Sequence, residues 1–118
     1  MAVGSDGAVI YHNPKCSTSG KTLDLLRDNG LEPIVVQYLK TPPSRDELVK
    51  MIQDAGIDVR TAVRKRESLY TELNLADATD DQVLDAMAEH PVLIERPFVV
   101  TAKGTRLARP IDAVREIL

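Results

Sequence analysis

The chain has 118 residues, of which 43% are hydrophobic and 28% charged, a composition typical of one globular domain that buries its own core. Its formal net charge of −3 argues against a general nucleic-acid binder, and no apolar run approaches the roughly 20 residues of a membrane span. The single cysteine excludes an internal disulfide and a multi-cysteine metal site, and it suits a reducing cytoplasm in which a lone thiol stays free.

The first forty residues predict a parallel β-α-β unit. Residues 1–7 are expected to be a disordered N-terminal segment, and the apolar run Ala8–His12 is a short strand. A helical pattern begins at Ser17 and ends at Gly30, which we expect in the left-handed conformation of a helix C-cap. β-branched residues then predict a second strand at 34–39. Because a connection of this length contains a helix, the two strands should be parallel.

A helical insertion is predicted over about residues 44–92. Ser44 with Glu47, and Thr79 with Gln82, have the spacing of capping boxes that begin two of its helices. We therefore expect the chain to leave the sheet after the second strand and to return to it only near the C-terminal part.

The C-terminal part predicts a β-hairpin followed by a helix. "PFVVT" and "TRLAR" are strand-like runs separated by "AKG", a tight-turn signal. Pro110 stands at a first-turn position, and Ile111, Val114 and Leu118 lie on one face of the helix that follows. The order β-α-β, helices, β-β-α predicts one α/β domain over residues 8–118.

The loop "HNPKCSTSGKT" allows three interpretations. A phosphate-binding P-loop requires a glycine where Lys15 stands, and a tyrosine-phosphatase loop requires an arginine where Thr22 stands. The remaining interpretation is a nucleophilic thiol, Cys16, at the start of a helix, where free N–H groups and the helix dipole favour the thiolate. An inert core cysteine is the alternative, but Lys15 and the three hydroxyl residues after Cys16 disfavour it.

Positive charge is concentrated in two parts of this acidic chain. Six of the nine arginines lie in the windows 60–66 and 96–109. Arginine offers a permanent charge and a fork of donors that match a tetrahedral oxyanion. The pattern indicates a site for a small anion.

Five segments of the sequence resemble the ArsC family of glutaredoxin-coupled arsenate reductases: "YHNPKCSTS", "TPPSRDELVKMI", "VRTAVRKRESLYTELNL", "HPVLIERPFVVT" and "TRLARP". The resemblance extends from about Val9 to Leu118 and is strongest to a short branch whose chains stop at "EIL". It implies a thioredoxin-like fold with a helical insertion, in agreement with the element order. It also implies a thiol–arsenate adduct resolved by glutathione and then glutaredoxin, with no bound cofactor or metal.

The resemblance also assigns roles to individual residues. Cys16 falls on the family's nucleophile, His12 on the histidine that tunes it, and Ser19 on a serine that stabilises the thiolate. The oxyanion-binding arginines of the family fall on Arg64, Arg96 and Arg109. Arg96-Pro97 stands where thioredoxin-like folds place a cis-proline facing the active site, so we expect a cis bond there.

Two other functions are compatible with this fold. One is a thiol oxidoreductase of the same family with a substrate other than arsenate. The other is a Spx-like regulator that binds RNA polymerase and senses redox state through a C-x-x-C pair, but Ser19 replaces the second cysteine of that pair. We expect a cytoplasmic monomer whose partners are an oxyanion, glutathione and glutaredoxin, and which binds neither nucleic acid nor a membrane.

Overall fold

The computed structural model describes residues 7–118. The segment predicted to be disordered, residues 1–7, lies outside the described residues except for Gly7, which is the first residue of a strand. The described chain forms two compact units. The first consists of the described residues up to Thr41 together with Arg96–Leu118, and the second is Pro42–Glu95.

The first unit contains the sheet, one long helix and the C-terminal helix. Its elements are β1 (Gly7–His12), α1 (Ser17–Asp28), β2 (Glu32–Gln37), β3 (Phe98–Thr101), β4 (Gly104–Leu107) and a terminal 3₁₀ helix (Ile111–Ile117). The sheet order is β2-β1-β3-β4. β1 pairs with β2 in parallel and with β3 antiparallel, and β3 and β4 form the predicted hairpin.

The second strand was predicted at 34–39 but runs from Glu32 to Gln37. Its bounds follow those of β1, because Gly7 pairs with Glu32 and His12 pairs with Gln37. β2 is an edge strand, and Ile34 is 50% exposed. The β-branched run therefore predicted a strand correctly, but pairing with β1 decided where the strand begins and ends.

The core of the first unit lies between the sheet and the helices. Side chains alternate along a strand, so Ala8, Ile10 and His12 share one face of β1, and all three are buried. Ala8 and Ile10 belong to one apolar cluster with Leu26, Val99, Ala108, Val114 and Ile117. This alternation places a polar side chain, His12, at the end of an apolar row.

The terminal helix was predicted to be α-helical and is instead 3₁₀. Its buried residues are Val114 and Ile117, three positions apart. A 3₁₀ helix has three residues per turn and brings positions i and i+3 onto one side. This spacing places Val114 and Ile117 in the core, and Leu118 of the predicted stripe packs against the same cluster while staying partly buried.

The second unit is helical throughout. It contains α2 (Arg45–Asp54), α3 (Val59–Ala62), α4 (Ser68–Glu72), α5 (Asp80–Glu89) and 3₁₀ turns at Leu75–Asp77 and Pro91–Leu93. Both predicted capping boxes are present, before α2 and before α5. α2 packs against α5, and Arg45 bridges to Asp81 and Asp85 at 3.3 and 2.7 Å. Among residues 7–118, no helix is long and apolar enough to cross a membrane.

Candidate active site

Cys16 is the N-cap residue of α1, the position predicted for it. A tight turn presents it: the Cys16 N–H donates to the Asn13 carbonyl at 3.0 Å, and the Cys16 carbonyl accepts from Gly20 N–H at 3.0 Å. The residue is partly exposed. Its sulfur is therefore accessible at the end of a helix whose first N–H groups have no partner within the helix.

Several groups act on the Cys16 thiol. Partial burial raises its pKa, but the N–H of Ser19, the charge and hydrogen bond of Arg96, and the N–H of Thr18 together outweigh burial, so the pKa lies below its ordinary value. The sulfur makes no helix-capping hydrogen bond of standard geometry. We therefore attribute the lowering of the Cys16 pKa by the Ser19 and Thr18 N–H groups to the dipoles of those groups. The surroundings favour the thiolate, which is the nucleophilic form.

Two of the predicted arginines lie beside this sulfur. Arg109 Nη2 donates to Cys16 Sγ at 3.9 Å, and Arg109 Nε donates to the Arg96 carbonyl at 2.8 Å. Arg96 is only 7% exposed and hydrogen-bonds to Cys16. The Arg96–Pro97 bond is cis, which confirms the prediction, and the Arg109–Pro110 bond is cis as well. The result is a local concentration of positive charge at the nucleophile.

His12 and Ser19 form a buried pair behind the loop. His12 Nδ1 lies 2.6 Å from Ser19 Oγ, and Ser19 is fully buried. Burial, and then the charge of Arg27, lower the pKa of His12. Both causes favour the neutral imidazole, whose contact is with the Ser19 hydroxyl. Ser19 faces the sulfur with its backbone N–H, while its side chain faces His12.

Asn13 is a positioning residue that the site prediction did not include. Its side-chain oxygen accepts from Lys15 N–H at 3.0 Å, and its own N–H donates to Ser19 Oγ at 3.1 Å. With the carbonyl bond to Cys16 described above, Asn13 joins the strand end to the helix start through three contacts. The Asn-Pro pair signalled a turn in the sequence, but not that this turn holds the nucleophile.

Arg64, the third predicted arginine, belongs to the second unit. Its N–H donates to the Leu93 carbonyl at 2.7 Å. Its Nε lies 3.5 Å from Glu67 Oε2, and its side chain is 24% exposed. Its role as an oxyanion ligand stays a prediction.

Each unit has an open cleft. In the first unit, about 260 Å³ is lined by Thr18, Ala108, Arg109, Pro110 and Ile111. In the second unit, about 470 Å³ is bordered by acidic side chains that include Asp77, Asp85 and Glu89. Acidic borders repel an oxyanion, so the smaller cleft has the more suitable charge. Within residues 7–118, no three His, Cys, Asp or Glu side chains are grouped to hold a metal ion.

Comparison with known proteins identifies the family of this chain. The model of the ArsC family matches residues 11–117. The chain belongs to the ArsC family. Arsenate reductase of Escherichia coli (strain K12) is 56% identical over 111 residues, which cover 92% of this chain and 79% of that protein.

Two further relatives match nearly their whole length. The structure of arsenate reductase from Vibrio cholerae superposes with a TM-score of 0.92 at 50% identity and covers 98% of this chain and 100% of that chain. The uncharacterized protein YfgD of Escherichia coli (strain K12) is 45% identical over 112 residues, which cover 92% of this chain and 94% of that protein. The structural match confirms the predicted α/β fold class, thioredoxin-like.

Proposed function

We propose that this protein is an arsenate reductase in which Cys16 is the nucleophile. The observation that carries the proposal is the Cys16 sulfur, partly exposed at a helix start with Arg96 and Arg109 beside it. The likeness to arsenate reductases, 56% identity in one case, supports the choice of substrate.

In this proposal the arginines bind arsenate. Arg96 and Arg109 place their guanidinium groups at the sulfur, where forked donors pair with the oxygens of a tetrahedral anion. Arg64 is the third proposed ligand. Their charges offset the repulsion between an anionic sulfur and an anionic substrate, and they stabilise negative charge on the oxygens in the transition state.

The first chemical step is attack of the Cys16 thiolate on arsenic. A sulfur–arsenic bond forms and one arsenate oxygen, after protonation, leaves as water. Arsenic remains As(V) in this adduct. The backbone N–H groups of Thr18 and Ser19 support the thiolate before the attack.

The second stage supplies two electrons. The chain has one cysteine, so the resolving thiols come from outside: glutathione first, then glutaredoxin. Arsenate and two thiols yield arsenite, one disulfide and one water, and Cys16 is released as a thiol. Because the thiols carry the electrons, the scheme needs no bound cofactor, and glutathione is a co-substrate.

His12, Ser19 and Asn13 position the nucleophile in this scheme. The buried His12–Ser19 pair fixes the first turn of α1, whose N–H groups face the sulfur. Asn13 fixes the turn before it. We place the protein in the cytoplasm, because its thiol chemistry depends on a reducing compartment. We also propose that it acts as a monomer.

A coupled assay tests the proposal. NADPH oxidation is followed with glutathione, glutathione reductase and glutaredoxin, with arsenate or without any oxyanion. Arsenate-dependent NADPH oxidation is expected. Thiol–disulfide exchange on a disulfide substrate without any response to arsenate would instead support an oxidoreductase with another substrate.

A further inference from the structure

We propose that Thr22, a buried residue of α1, is a positioning residue for the nucleophile: its hydroxyl holds and polarises the Thr18–Ser19 peptide, whose N–H faces the Cys16 sulfur. The inference rests on the proposed function, since it concerns how the protein prepares Cys16 for attack. It adds a residue that acts on the sulfur through the backbone.

The place of the Thr18–Ser19 peptide at the start of α1 is the first argument. Cys16 is the N-cap residue and has the extended backbone of that position, with φ of −98° and ψ of 120°. The side chain of an N-cap residue is directed at the N–H groups of the second and third helical residues, which here are Thr18 and Ser19. In agreement, partial burial raises the pKa of Cys16, and the Ser19 N–H is the largest of the causes that lower it.

The hydrogen bond at the other end of the same peptide is the second argument. The N–H and C=O of a peptide point in opposite directions, so the Thr18 carbonyl points along the helix and away from the sulfur. Thr22 Oγ1 donates to this carbonyl at 2.7 Å. Hydroxyl, peptide and thiolate therefore form one chain of hydrogen-bonding groups. In such a chain each bond polarises the next and strengthens it by about 10–30%.

The burial of Thr22 is the third argument. The residue is 0% exposed, so water does not compete for its hydroxyl, and a hydrogen bond in such surroundings is electrostatically stronger than in water. Valine has nearly the same shape and would fill this place without needing a partner. An α-helix already pairs the Thr18 carbonyl with the Thr22 N–H. The hydroxyl is therefore additional to what packing and the helix require.

The charged groups around the sulfur belong to other parts of the chain. Arg96 precedes β3 and hydrogen-bonds to the thiol, and Arg109 follows β4 and donates to it at 3.9 Å. His12 is buried behind the loop, and Lys15 is exposed before the helix. A substitution of Thr22 leaves all four groups in place, so a change in the ionisation of the thiol reports the loss of the hydroxyl.

Three variants separate the hydroxyl from packing. Thr22→Val keeps the shape and removes the hydroxyl, whereas Thr22→Ser keeps the hydroxyl and removes a methyl group. Thr101→Val is the matched control, because Thr101 is also buried and its hydroxyl also donates to a backbone carbonyl, that of Ile117, at 2.6 Å. For each protein, the pH midpoint of Cys16 alkylation by iodoacetamide is measured without arsenate, and kcat/KM for arsenate is measured against pH in the coupled assay.

Thr22→Val is expected to raise the alkylation midpoint by about 0.3–0.5 pH unit, because the Ser19 N–H becomes a weaker donor to the thiolate. Thr22→Ser should return at least about half of this shift, since serine can make the same bond to the carbonyl four residues earlier. Thr101→Val should leave the midpoint unchanged. At about one pH unit below the wild-type midpoint, Thr22→Val should lower kcat/KM about two- to threefold, and at about one unit above it the value should be nearly unchanged, because the shift then hardly alters the thiolate fraction.

An unchanged midpoint in folded Thr22→Val overturns the inference, and so does an equal rise in Thr22→Ser or in Thr101→Val. If Thr22→Val does not fold, as judged by circular dichroism, Thr22→Ala and Thr22→Ser decide, because these two variants differ only in the hydroxyl. The alanine variant should then have the higher midpoint, and equal midpoints overturn the inference. Failure of the proposed function has a separate signature, because the midpoints would differ as described while the wild type oxidised no NADPH in response to arsenate.

Discussion

The arginines beside Cys16 in the first unit and the arginines of the second unit have different partners, although Arg106 and Arg115 of the first unit also pair with carboxylates. In the first unit, Arg96 is buried and Arg109 is directed at the Cys16 sulfur. In the second unit, arginine side chains are paired with carboxylates, as in Arg45 with Asp85 and Arg64 with Glu67. The Arg45–Asp85 pair is exposed to solvent, and an exposed ion pair contributes little to stability.

The difference also extends to the uncharged polar side chains. The first unit buries His12, Ser19 and Thr22 around the helix that carries Cys16. Polar side chains of the second unit cap helices at the surface, as Ser44 and Thr79 do. Buried polar groups stay buried only when they are paired, so they fix a loop geometry that surface groups do not. The contrast favours the first unit as the place of the chemistry, and five experiments challenge or refine this proposal.

The largest expected effect belongs to Cys16→Ser. A hydroxyl is almost isosteric with a thiol but far less acidic, so arsenate-dependent NADPH oxidation should fall to background in the coupled assay. The fold should be retained, because Cys16 is partly exposed at a helix start and not in the core. Residual arsenate turnover in folded Cys16→Ser would place the nucleophile elsewhere.

The arginines of the first unit come next. Removing a charge-assisted hydrogen bond costs about 1.5–3 kcal/mol, so Arg96→Ala and Arg109→Ala should each lower kcat/KM for arsenate at least about tenfold. Arg96→Lys should have a kcat/KM for arsenate between those of Arg96→Ala and the wild type, because an ammonium keeps the charge but not the forked donors of a guanidinium.

The matched control for these two variants is Arg106→Ala. Arg106 lies on β4 and is paired with Glu116 at 3.6 Å. Its removal should change kcat/KM by no more than about threefold. If Arg106→Ala lost as much activity as Arg96→Ala, the proposed oxyanion site would be wrong.

Arg64 tests whether the chemistry also depends on the second unit. As the third proposed oxyanion ligand, Arg64→Ala should lower kcat/KM for arsenate about tenfold. Arg66→Ala is the control two positions away, at an exposed residue, and should stay within about threefold. Equal values for the two variants would restrict arsenate binding to the first unit.

The smallest effect is a shift in the titration of Cys16. The rate of iodoacetamide alkylation against pH should give a midpoint below the free-thiol value of about 8.5, because Arg96 and two backbone N–H groups favour the thiolate. Arg96→Gln should move this midpoint upward. A wild-type midpoint at or above the free-thiol value would remove the main support for catalysis by Cys16.

The lowered pKa of Cys16 also makes the stability of the folded protein depend on pH. A thiol whose pKa is lower in the folded state adds stability that is fully present above the unfolded pKa and is lost as the pH falls through the folded pKa. Urea unfolding of the wild type and of Cys16→Ser at several pH values should therefore diverge as the pH rises toward 9. Parallel stabilities across this range would contradict the lowered pKa.

The sequence by itself determined the features that depend on near neighbours. The capping boxes of Ser44 and Thr79 join residues three positions apart, and both are present. Gly30 adopts the left-handed conformation, with φ of 78°, that its place after α1 predicted. The element order, the parallel β-α-β unit and the place of Cys16 at a helix start follow from the same local rules.

Only the tertiary structure decided the features that depend on distant contacts. Arg109 reaches Cys16 across 93 positions of the chain, and no local pattern determines that Nε binds the Arg96 carbonyl while Nη2 faces the sulfur. The Ser19 side chain turns toward His12 because β1 places that imidazole at the end of a buried row, beside the first turn of α1. Likewise, pairing with β1 set the limits of β2, and burial of Val114 and Ile117 accompanied a 3₁₀ rather than an α-helical end. Hydrogen bonds within a turn are fixed by the spacing of residues, whereas contacts between elements are fixed by how those elements pack.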